Sequence, residues 1–101
     1  MYDISLTGHK YQLHNMEGGQ FQILQFIEKA PTEDGRLVTV NNGVTNEEVL
    51  RVLIDRITKM DLEVPSPYNK IALSSLNNAL YALQSRVADR RSRDVYQTIE
   101  K

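Results

Sequence analysis

Arginine is the residue type whose spacing in this chain speaks most directly of chemistry. Arg86, Arg90 and Arg93 stand at i, i+4 and i+7, so a continuous helix lines them along one face, with Asp89 and Arg91 beside them. A guanidinium fork donates two hydrogen bonds at fixed geometry and keeps its charge when partly buried, which suits phosphate oxygens. A plainer reading stands next to this one. Cations are favoured near a helix C-terminus, and Asp89 and Asp94 could simply pair with them.

Other reactive residue types form no recognisable set. His9 and His14 are five apart in a stretch that reads as strand and turn, which is not the i, i+4 spacing of a helical zinc pair, and they read as surface or packing histidines. The chain has no cysteine, which removes disulfides, thiolate zinc sites and cysteine nucleophiles together. Gly18-Gly19 lacks the Lys-Ser/Thr of a phosphate loop, and Gly43 stands alone. Asp55 and Asp61 have no partner acid that the sequence identifies, and helical carboxylates are mostly solvated or salt-bridged. The expectation is therefore a protein that is not an enzyme and that holds no metal and no cofactor.

The elements that must carry the arginines follow from composition and periodicity. With 101 residues the chain makes one small domain, which buries only about two-thirds of its unfolded surface. A net charge of −1 argues against a surface built wholly for nucleic acid or anionic membrane. The N-terminus lacks a signal-like apolar run and no segment has the length of a membrane span, so the chain reads as soluble and intracellular.

Residues 1–43 read as short antiparallel strands joined by turns, with Gly18-Gly19 and Pro31 to Gly35 as the turns. The alternation of Phe21, Ile23 and Ile27 against Leu24 and Phe26 breaks near Leu24, marking a bulge or a strand covered on two faces. A second strand is expected from Arg36 to Val40. Asn41-Asn42-Gly43 is a turn sequence rich in residues that tolerate positive φ.

Residues 44–101 read as a helical hairpin. Thr45 and Glu48 form a capping box, and Leu50, Leu53, Ile54 and Ile57, widened by Val49 and Val52, predict a helix over 46–60. Ser66 is placed to cap a second helix with Pro67 at its first position. Leu73, Leu76, Leu80, Leu83 and Val87 follow a heptad-like seam, with Ala72 and Ala79 offering close approach on an adjoining face. The fold class is thus α+β: antiparallel strands, then a two-helix antiparallel hairpin suited to self-assembly, since so small a core gains from partner subunits.

Two stretches carry a family resemblance. Val44-Thr45-Asn46-Glu47-Glu48-Val49-Leu50 with Leu53-Ile54-Asp55-Arg56 resembles the first helix of the phage anti-defence hairpin-domain family that contains the anti-Thoeris and anti-CBASS sponge proteins. Asn69, Ala72, Leu76, Ala79-Leu80 and Arg86-Val87-Ala88-Asp89-Arg90, with Arg93, resemble its second helix, and Thr98 fits its closing pattern. The resemblance covers about the last sixty residues, and the β-rich front is more similar to the anti-Thoeris branch. It implies a non-catalytic homo-oligomer, commonly a hexamer. Such a protein sequesters a cyclic nucleotide immune signal, either a cyclic ADP-ribose isomer or a cyclic oligonucleotide, in the cytoplasm of an infected bacterium.

Carried over by position, the resemblance implies phosphate contacts from Arg86 and Arg90 and a ribose or base contact from Asn69, with Arg56, Lys59, Arg93 and Thr98 as lesser candidates. Asn69 has an equal claim as a capping residue four positions after Pro65, and Arg56 with Asp55 could be an ordinary salt bridge. The chain departs from the family at several places. Lys59 stands where an aromatic is common and Ala82 where Trp is frequent. Asp94, Tyr96 and Gln97 replace a Gly-Val-Glu-Gly-Thr pattern that survives only in Val95 and Thr98; Tyr96 offers a stacking surface in its place. These changes bear on the ligand more than on the fold. The competing expectation is a small regulatory or nucleic-acid-binding phage oligomer using the Arg86 to Arg93 face.

Overall fold

The computed structural model describes residues 7–92, which fold as two antiparallel strand pairs followed by two helices. The order is β1 (Lys10–Leu13), β2 (Gln22–Gln25), β3 (Glu28–Pro31), β4 (Leu37–Asn41), α1 (Asn46–Glu63) and α2 (Pro67–Ser92). This is the expected α+β class. Two compact units divide between Val44 and Thr45.

In the first unit, β1 pairs with β2 in the register Tyr11 to Leu24, and β3 pairs with β4 in the register Ala30 to Val38. The break in alternation has a different cause from the one the sequence predicts. Leu24 lies within the regular β1–β2 ladder, and the irregularity falls between Glu28 and Lys29. One run of chain leaves its first partner strand at Gln25, bridges Val44 through Phe26, and then joins its second partner from Glu28 onward. A residue that changes partner changes the face it buries, which scrambles the period of two.

The loop from Thr32 to Arg36 closes the second pair. Gly35 donates to the Thr32 carbonyl at 3.0 Å with φ of 84°, a left-handed conformation that suits glycine, and Thr32 donates its amide to the Arg36 carbonyl at 2.7 Å. Gly43 needs no such freedom, since it is not among the positive-φ glycines. A Cβ there would lie 2.6 Å from the Phe26 carbonyl carbon and 2.8 Å from the Ile27 nitrogen, so glycine is required by close backbone approach and not by turn geometry.

The second unit is an antiparallel helix pair. Thr45 caps α1, its hydroxyl accepting from the Glu48 amide at 3.2 Å, as the capping box predicts. The helix runs on to Glu63, three residues past the expected end, because Asp61, Leu62 and Glu63 continue it until Val64 and Pro65 stop it. Ser66 caps α2 through the Tyr68 amide at 3.2 Å, and Pro67 takes the first helical position. Leu50, Ile54 and Ile57 of α1 and Leu73, Leu76, Leu80, Leu83 and Val87 of α2 are the half-buried seam between the helices, while Leu53 and Val52 stay exposed. Among the described residues none is fully buried, and no helix is long and apolar enough to cross a membrane.

Candidate anion-binding site

The arginine-bearing end of α2 is helical through Ser92, so the spacing of Arg86 and Arg90 is realised on one face of the helix, with Arg86 exposed and Arg90 half-buried. Arg93 and Thr98 lie outside the described residues, as do Asp94, Tyr96 and Gln97 of the altered tail. Arg91 belongs to a different face. Five positions separate it from Arg86, which turns it roughly 140° around the axis.

Asn69 sits at the other end of α2. Its side-chain amide donates to Asp61 Oδ1 at 3.2 Å and its backbone N–H donates to the Ser66 carbonyl at 3.1 Å; the cap of α2 is Ser66, and Asn69 ties the first turn of the helix to the end of α1. Seventeen residues of helix put it about 25 Å from Arg86 along the axis, and one hairpin does not bring the two to one ligand. Arg56 is exposed near the middle of α1, level with Ser74 by the register that sets Asp61 beside Asn69. Asp55 pairs with Lys59 and not with Arg56, in an exposed i, i+4 bridge of 3.0 Å. That pair gives Lys59 a surface role of the kind worth a few tenths of a kcal/mol, about 0.3–0.5.

Asp61, which the sequence leaves without a partner, is the hub of the turn. Its carboxylate accepts from Lys70 Nζ at 2.7 Å, from the Ser66 amide at 2.9 Å and from Asn69. The Lys70 ammonium first, then the Ser66 and Asn69 donors, hold its pKa down at about 2. A smaller version lies in the β3–β4 loop, where the Thr32 hydroxyl and the Arg36 amide lower the pKa of Asp34. An open hollow over that loop is lined by Thr32, Glu33, Asp34, Arg36 and Val38, and its acidic character does not suit an anion. His14 lies edge-on to Phe21 with ring centroids 4.5 Å apart, which is a packing role.

The other end of the hairpin holds a cleft of about 540 Å³ that the sequence alone does not disclose. Gln84, Val87, Ala88 and Arg91 form its α2 wall at i, i+3, i+4 and i+7, and Glu47 with Arg51 forms its α1 wall at i, i+4. It opens beside the Thr45 cap. Two arginines from separate helices therefore line one cleft together with the apolar Val87 and Ala88, a single carboxylate, a single amide and the Thr45 side chain. Sequence reading sets Arg91 beside Arg86 and Arg90 and gives Arg51 no role. Only the helix register, which brings residues forty apart to the same cleft, exposes the pairing.

Compared with known protein families and with curated proteins, the chain matches neither a family model nor a relative. The likeness to sponge proteins rests on the residues quoted for it.

Proposed function

We propose that the protein is a non-catalytic, homo-oligomeric sponge for a cyclic nucleotide signal, a cyclic ADP-ribose isomer or a cyclic oligonucleotide. In this reading it acts for a phage in the cytoplasm of an infected bacterium. The observation that carries it is the unbroken course of α2 through Arg86 and Arg90, which presents guanidinium groups along one helical face for phosphate oxygens. The exposed ring of Tyr68 and the exposed Ile71 and Tyr81 on the same helix supply apolar surface for association with further copies, hexamers being the form that the resemblance implies. Because Asn69 and Arg86 are far apart on one hairpin, a ligand touching both would lie between subunits.

Isothermal titration with a panel of cyclic ADP-ribose isomers, cyclic dinucleotides and cyclic trinucleotides tests this reading. The expected result is stoichiometric binding of one class, ligand recovered intact after denaturation, and a loss of at least about tenfold in R86Q and R90Q, as expected for a charge-assisted hydrogen bond. Degraded ligand, or no binding to any member of the panel, would overturn it.

A further inference from the structure

The cleft bordered by Arg51 and Arg91 lies on a different face of α2 from Arg86 and Arg90, and it is unlike a bare cationic patch. Its volume of about 540 Å³ falls within the span of small-ligand sites, roughly 300–1,000 Å³. Its polar side chains are the two arginines, Glu47, Gln84 and the capping Thr45. Arg51 and Arg91 supply forked donors for phosphate, and the N-terminal end of α1 adds a favourable field for negative charge. Glu47 is ill-suited to an anion but well suited to accept from a pair of vicinal hydroxyls, as carboxylates do on ribose diols. Val87 and Ala88 give an apolar floor for a flat ring, and Gln84 an amide to meet its edge.

We propose that this cleft binds a linear mononucleotide: phosphates on Arg51 and Arg91, the free ribose diol on Glu47, and the base over Val87 and Ala88. Cyclic ligands joined through a ribose hydroxyl lack the intact diol, so the cleft discriminates against them. The proposal concerns residues separate from the Arg86 and Arg90 face and stands or falls apart from the sponge reading.

Glu47 gives the experiment a double signature. The wild-type protein and its R51Q, R91Q, R86Q and E47Q variants are titrated with ADP, 2′,3′-dideoxy-ADP and inorganic pyrophosphate, following the arginine Nε–Hε resonances by NMR and helicity by circular dichroism. Wild type should bind ADP with shifts at Arg51 and Arg91, and should prefer it to the dideoxy form. R51Q or R91Q should weaken ADP by at least about tenfold while R86Q leaves it unchanged. E47Q should abolish the preference for the diol yet tighten pyrophosphate by about fivefold, because a like charge has been removed. Absence of saturable ADP binding at millimolar ligand, binding indifferent to R51Q and R91Q with helicity intact, or binding lost in R86Q would each overturn the proposal. None of these results depends on whether a cyclic nucleotide binds elsewhere.

Discussion

At the scale of single residues, Asp61 shows how a helical carboxylate becomes structural. It gathers an ammonium, a backbone amide and a side-chain amide at the point where the chain reverses, and its side chain is only 14% exposed. The linkage has a definite sign. A carboxyl whose folded pKa of about 2 lies below its ordinary 3.8 stabilises the fold fully above about pH 4 and ceases to do so as pH falls through 2. D61N is therefore expected to melt several degrees below wild type at pH 7, with the difference narrowing between pH 4 and pH 2. Thermal melts at both ends of that range check it, and a gap unchanged at pH 2 would assign the loss to shape instead of charge. Asn69 was legible as a polar residue near a helix start but not as a donor to Asp61, because its partner is eight positions away across a turn.

At the scale of elements, the helix starts were the most legible parts of the chain, since capping is written in neighbouring residues. Thr45 with Glu48 and Ser66 with Pro67 gave both starts to the residue. The end of α1 was less so: Asp61 to Glu63 carry no stop signal of their own, and the helix continues until Val64 meets Pro65. Removing the Thr45 hydroxyl orphans the Glu48 amide, so T45A should lower unfolding free energy by about 1 kcal/mol, while T45S should remain near wild type. The urea midpoint at unchanged slope reports this directly. The strands were read as a class but not in detail. Their alternation is broken by a change of partner at Phe26 and Ile27, and partner choice is not a local property of sequence.

At the scale of the whole molecule, what stands out is how much apolar surface the chain leaves uncovered. No described residue is fully buried, and Tyr68, Ile71 and Tyr81 are 79%, 63% and 73% exposed. A lone chain of this length has little margin of stability, and the proposed association with copies of itself would offset the deficit. Sedimentation equilibrium at micromolar concentration is expected to give a mass well above 11.6 kDa, with a melting temperature that rises with protein concentration. A monomer with concentration-independent melting would count against assembly. The face bearing Arg86 and Arg90 was visible in the sequence because it lies on one helix. The cleft bearing Arg51 and Arg91 was not, because it exists only once two helices have found their register.

Gly43 carries a last consequence, for mutational tolerance. Val44, next to it, is held by hydrogen bonds on both sides, from its own amide to Gln25 and from Ile27 to its carbonyl, and Thr45 is already the cap of α1. No spare residue separates the bridged Val44 from the cap at Thr45, so an insertion or deletion between them displaces one or the other. A side chain at position 43 meets backbone on arrival. In the turns at Gly18-Gly19 and Thr32 to Arg36 the glycines are held to positive φ with open space around them, whereas at this joint the constraint is the backbone that a side chain would strike.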